Sequence, residues 1–67
     1  MKTYRIMAFD ANQNELIDVK MTEQYDMAAA KKFAYEYVNN ISTCGIVSTI
    51  EVTDVKSLDK EVIDMDF

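Results

Sequence analysis

The groups with which this 67-residue chain could do chemistry are twelve carboxylates, seven basic side chains and one thiol; there is no His. Imidazole is the side chain whose ordinary pKa lies near neutrality. Its absence removes the central member of Ser-His-Asp triads, of His-based proton shuttles and of the common zinc sites. Asp64 and Asp66 stand two apart, a spacing that would let two carboxylates share acid-base work. On alternate positions of a strand they more simply make a solvated acidic face. Cys44, beside Gly45, follows a helical stretch whose C-terminal dipole disfavours a thiolate, and no His exists to activate it, so it reads as a structural, half-buried Cys. Asp10, Asn12 and Asn14 are spaced like the opening of an EF-hand loop, but the sixth position is Glu15 instead of Gly and the twelfth is Met21 instead of Glu. A hairpin turn accounts for them better. The expectation is a protein that is not an enzyme, with no cofactor and no metal site.

A lone Cys also excludes an intrachain disulfide. Secreted domains of this size usually carry several bridges, and the N-terminal stretch MKTYRIMAFD alternates polar and apolar residues without an apolar h-region. A cytoplasmic location is expected, and no membrane association, because no apolar run approaches the ~20 residues that span a bilayer.

The net charge of −5 is unevenly placed. Residues 1–22 are neutral, with Asp10, Glu15 and Asp18 balanced by Lys2, Arg5 and Lys20. Residues 23–43 carry −1, and from Cys44 onward Glu51, Asp54, Asp59, Glu61, Asp64 and Asp66 face only Lys56 and Lys60, which gives −4. Nucleic-acid binding normally needs clustered Lys and Arg to replace the counterions on phosphates, and only Lys31 and Lys32 are adjacent here. A basic protein surface is the better partner, and direct nucleic-acid binding is not expected.

The elements that would position these groups follow from periodicity. Over 3–9, Tyr4, Ile6 and Ala8 alternate with Arg5, Met7 and Phe9, the period of a strand. The polar run 10–14 is a hairpin loop, since Asn and Asp tolerate left-handed backbone and cap their own turns. Residues 15–21 form a second strand, with Ile17, Val19 and Met21 on one face and Leu16, Asp18 and Lys20 on the other. From Asp26, an N-cap residue type, the period changes: Met27, Ala30, Phe33, Ala34, Tyr37, Val38 and Ile41 make one helical stripe. A helix of about fifteen residues is ~22 Å long, close to the ~23 Å of a seven-residue strand, so it can lie lengthwise on a sheet. The β-branched run 46–55 is a third strand, its even positions Ile46, Ser48, Ile50 and Val52 facing the helix. After a turn over 56–60, Ile63, Met65 and Phe67 alternate with Asp64 and Asp66 as a fourth strand, although Val55, Leu58 and Val62 also fall on a helical face.

The expected architecture is α+β: an antiparallel sheet of three to four strands, β-β-α-β-β in order 2-1-3-4, with one helix on one face. All 67 residues belong to one domain. The other face would be left open, carrying Arg5, Met7, Phe9, Leu16, Val47, Thr49, Glu51, Thr53 and Val55. One helix on one short sheet should leave little volume for a ligand pocket of the usual ~300 Å³ or more. Three features point to contact with a partner: Met7 and Phe9 on the open face, Tyr35 about 140° round the helix from its apolar stripe, and the acids Asp54, Asp59, Glu61, Asp64 and Asp66.

The segments YRIMAFDANQNELIDVKM, DMAAAKKFAYEYV and GIVSTIEVTDV, which together cover about residues 3–55, resemble in plan the strand-strand-helix-strand arrangement of small phage and mobile-element proteins, including some anti-CRISPR proteins. The resemblance implies a stoichiometric inhibitor that binds a host or defence protein, for instance by placing carboxylates in a basic nucleic-acid channel. It implies no particular residue. The alternative is an assembly module that self-associates, as a homodimer for example, through its open sheet face or its edge strands.

Overall fold

The structure, a computed structural model, describes residues 1–10, 15–41 and 44–65. Four strands and one helix follow in the order β1 (Lys2–Asp10), β2 (Glu15–Gln24), α1 (Met27–Asn39), β3 (Thr49–Asp54) and β4 (Lys60–Asp64), with a single 3₁₀ turn at Cys44–Ile46 between α1 and β3. The sheet is antiparallel throughout and ordered β2-β1-β3-β4, with the helix packed against one face. The β-β-α-β-β plan and strand order expected from periodicity are therefore those of the molecule. The loop residues 11–14 lie outside the described residues, as do Ser42, Thr43, Asp66 and Phe67.

The alternation in β1 builds the core. Tyr4, Ile6 and Ala8 are each 1 % exposed, and in register with them on β3 stand Asp54, Val52 and Ile50. Above this face lie Ala30, Ala34 and Val38 of α1, all fully buried. Two alanines at the contact let the helix backbone approach the sheet closely, and Met27, Phe33 and Tyr37 pack around them. Asp26 caps the helix as expected: its Oδ1 accepts the Ala29 amide at 2.9 Å. At the other end Asn40 is the C-cap, and its Nδ2 donates to the Glu36 carbonyl. The helix thus ends two residues before Ile41, which lies in a bend.

Two sequence expectations fail, each for a local reason. The third strand begins at Thr49 instead of Ile46, because the chain must turn back from the helix; the 3₁₀ turn throws Ile46 out to 56 % exposure and tucks Val47, expected on the open face, wholly into the core. The second strand does not keep Ile17, Val19 and Met21 on one face. The register jumps from Ala8 opposite Asp18 to Phe9 opposite Leu16, a bulge that gives Ile17 no partner. Ile17 packs on the core, but beyond the bulge Asp18 and Lys20 face the helix layer while Val19 and Met21 face away from it.

The bulge puts two charged residues under the helix, and both are used. The Tyr37 hydroxyl donates to Asp18 Oδ2 at 2.8 Å, Lys20 Nζ lies 5.9 Å from the centre of the Tyr37 ring, and Phe33 stacks on that ring with centroids 6.1 Å apart. The hydrogen bond to Asp18, then partial burial, then the nearby negative charge raise the Tyr37 pKa above its ordinary 10.0. A raised phenol pKa stabilises the fold fully below the unfolded value and loses that stabilisation as pH climbs through the folded value. Tyr37→Phe is expected to cost ~1 kcal/mol in denaturant unfolding at neutral pH. Comparing the two proteins from about pH 9 upward should show the wild-type advantage vanishing. An advantage that persisted would mean that the hydroxyl contributes through packing alone.

Candidate functional site

Antiparallel register specifies what the uncovered side of the sheet carries. From β2 come Leu16, Val19, Met21 and Glu23; from β1, Thr3, Arg5, Met7 and Phe9; from β3, Thr49, Glu51 and Thr53; from β4, Lys60, Val62 and Asp64. Leu16 sits opposite Phe9 and Val19 opposite Met7, so their side chains form a continuous apolar strip along the β2–β1 ladder. Leu16, Val19, Met21 and Val62 are each between 44 and 51 % exposed, and Met7 and Phe9 are half-buried by these neighbours. Glu51 interrupts the strip before Val62, and its carboxylate is 3.5 Å from Lys60 Nζ. No described element covers this face. A contiguous apolar strip on a charged 67-residue chain is the kind of surface that contacts proteins.

Met7 and Phe9 thus stand where periodicity put them, on the side away from the helix. Tyr35 is on the solvent side of α1 and 52 % exposed, separate from the strip. Val19, Met21 and Val62 are exposed apolar residues of this face that sequence reasoning missed: the bulge turns the first two outward, and Val62 emerges only from the β3–β4 register. Tyr25, between β2 and α1, is 78 % exposed as well.

The acidic residues are not brought together. Asp54 is 6 % exposed and turned inward, its Oδ1 accepting the Lys56 amide at 2.9 Å and the Ser57 amide at 3.3 Å. It organises the β3–β4 turn and is not a surface acid, which corrects its place among the partner-contacting residues. Asp59 is exposed in the same turn. Glu61 lies on the helix side of β4, paired with Lys31 at 2.9 Å in a solvated ion pair of small energetic weight. Asp64 is exposed on the open face, and Asp66 lies outside the described residues. Two open depressions flank the turn, one of about 350 Å³ reached by Lys2, Asp59 and Glu61, the other of about 650 Å³ along Met1–Thr3 and 54–57. They are larger than one helix on one sheet was expected to leave. Among the described residues no group of three or more Cys, Asp or Glu could hold a metal ion, and no helix is long and apolar enough to cross a membrane.

The turn itself is strained. Leu58 has φ 66°, its amide donates to the Asp54 carbonyl at 2.7 Å, and its side chain is 73 % exposed. Left-handed backbone costs any residue that carries a Cβ, which crowds the following carbonyl, and an exposed leucine gains nothing there from burial. Nothing in the fold of the chain explains that choice of residue.

No family model, no curated protein and no solved structure matches this chain. The site therefore has to be read from its own geometry.

Two outcomes follow for the turn. Leu58→Gly should raise stability by ~1 kcal/mol in denaturant unfolding; a loss would show that the leucine packs on something in solution. The Lys56 amide, followed by the Ser57 amide and hydroxyl and the attraction of Lys2, outweighs burial and holds the Asp54 carboxyl below its ordinary 3.8. Such a group stabilises the fold above the unfolded value and stops doing so as pH falls through the folded one. Acid titration of unfolding should show this loss below about pH 4 in the wild type and not in Asp54→Asn; identical acid limbs would remove Asp54 from the account.

Proposed function

We propose that this protein is a non-enzymatic protein-binding module that acts stoichiometrically on another protein, and that the uncovered sheet face is its contact surface. The observation that carries the reading is the strip of Leu16, Phe9, Val19, Met7 and Met21, in mutual register on a rigid sheet and covered by nothing described in the chain. An antiparallel sheet can tolerate a solvated face, but that face is then normally polar. Here the middle of β2 is inverted relative to solvent, with Asp18 and Lys20 toward the helix and Val19 and Met21 outward. Arg5, Glu51, Lys60 and Asp64 border the strip and would set orientation, and the net charge of −5 favours a partner with a basic rim.

Within this reading, inhibition of a host or defence protein is the form that the strand-strand-helix-strand plan implies. Mimicry of a phosphate array draws less support from the geometry, because Asp54 is committed to a turn, and Asp59 in the turn, Glu61 on the helix side of β4 and Asp64 on the open face are on different surfaces.

Affinity capture from a bacterial lysate, read as stoichiometric bands, tests the proposal. Met7→Asp with Val62→Asp should reduce a captured protein at least about tenfold, whereas Asp59→Lys with Glu61→Lys should leave most of it. The reverse pattern would move the contact surface to the acidic turn and overturn the open-face proposal.

A further inference from the structure

The edge of the sheet formed by β2 carries a second surface, distinct from the open face. The direction of each backbone group on β1 is known from its ends: the Thr3 carbonyl accepts the Val55 amide and the Phe9 carbonyl accepts the Ser48 amide, so the odd-numbered residues of β1 bond toward β3. The even-numbered ones, Tyr4, Ile6 and Ala8, therefore bond toward β2, where they face Thr22, Lys20 and Asp18. The alternate residues of β2, Val19, Met21 and Glu23, must direct their amides and carbonyls away from the sheet.

Natural sheets guard such an edge with Pro, with charges or with bulges. This chain contains no Pro. The bulge at Ile17 and the Asp18 carboxylate guard only the first half of β2: Asp18 Oδ1 accepts the outward Val19 amide at 2.8 Å. Lys20, the one cation of β2, lies on the helix side over the Tyr37 ring. The Met21 and Glu23 amides have no such cover among the described residues, and Val19, Met21 and Tyr25 leave apolar surface beside them.

We propose that the β2 edge pairs with the β2 edge of a second copy of this chain, antiparallel, about a two-fold axis at Thr22. The register follows by elimination. An axis at Lys20 would oppose Lys20 to itself and need the Val19 amide that Asp18 holds in its central rungs; an axis at Met21 completes only the Met21 rung before it needs the same amide, whereas one at Thr22 completes two; an axis at Glu23 opposes two carboxylates. At Thr22, Met21 of each copy lies opposite Glu23 of the other, and these residues exchange backbone hydrogen bonds in both directions. Thr22 meets Thr22, Lys20 meets Gln24, and Val19 meets Tyr25, with no like charges opposed. Because the axis is perpendicular to the sheet, both open faces lie on the same side, and the two apolar strips become neighbours. Edge pairing over so few residues buries well under the ~800 Å² per partner of a standard interface, so the dimer is weak and concentration-dependent.

Sedimentation of the full chain from about 20 µM to about 1 mM tests this. The mass should rise from 7.7 kDa toward twice that value. Met21→Pro deletes an outward amide that the monomer does not use, and should stay at the single-chain mass with an unchanged far-UV spectrum. In a Cys44→Ser background, Thr22→Cys should form a disulfide-linked dimer on mild oxidation, since opposed residues at the axis bring their Cβ atoms within reach, while Met7→Cys should not. The wild type remaining monomeric throughout, a folded Met21→Pro that dimerises like it, or Thr22→Cys cross-linking no faster than Met7→Cys would each overturn the proposal. Should Met21→Pro fail to fold, the cysteine pair decides alone. Met7 and Val62 lie off this edge, so loss of partner capture and loss of dimer can be told apart.

Discussion

One helix cannot cover both faces of a four-stranded sheet, and most of what is distinctive in this molecule follows from that limit. The core is one-sided: β1 and β3 supply Tyr4, Ile6, Ala8, Ile50 and Val52 from below, and α1 supplies Ala30, Ala34 and Val38 from above. A chain this short buries only about 60 % of the surface its unfolded form exposes, so the contact has to be close. Small residues on the helix achieve that closeness, and Val47 and Met65, from segments flanking β3 and β4, seal the margins. With the apolar surface of the core concentrated in that layer, no second layer was available for the opposite face.

Periodicity carried the architecture well because the limit acts on pattern. The 3.6-residue stripe from Met27, the Asp26 cap and the alternation Tyr4-Ile6-Ala8 each satisfy local and tertiary demands together. What it missed was a single inserted residue. Alternation through 15–21 assumes an unbroken ladder, and the bulge at Ile17 breaks it, exchanging the faces of every residue that follows. A strand with apolar residues at 17, 19 and 21 and charges at 18 and 20 looks buried on its odd side; only the long-range register with β1 shows that Asp18 and Lys20 are wanted beneath Tyr37. The start of β3 was misjudged for a related reason. The β-branched run 46–55 has strand propensity along its whole length, but return from the helix consumes its first residues in a 3₁₀ turn.

The candidate site was partly legible. Met7 and Phe9 could be placed because β1 is regular, and Tyr35 because the helix is. The acids could not be placed, since a count of carboxylates carries no direction. Asp54 shows the difficulty: in sequence it is one of six acids near the C-terminus, whereas in the fold its carboxylate takes two backbone amides and shapes the turn that carries Leu58. Charge that is buried in turn geometry is not charge available to a partner.

The bulge connects the surfaces discussed above. It sets Asp18 and Lys20 on the helix side of the sheet, where both meet Tyr37 in the C-terminal half of α1. By the same step it turns Val19 and Met21 outward, creating the apolar strip, and it protects the edge amide at Val19 through the second oxygen of Asp18. One carboxylate thus serves the helix with one oxygen and the sheet edge with the other. A regular ladder that kept Ile17 and paired it with Ala8 would bury the hydrophobics of β2, release Asp18 from Tyr37 and leave a polar open face. Such a strand would be simpler to fold, by the ordinary rule of apolar inside and charged outside. That the chain instead keeps the irregular arrangement, with hydrophobics on the solvent side, is most economically understood if that side meets another protein.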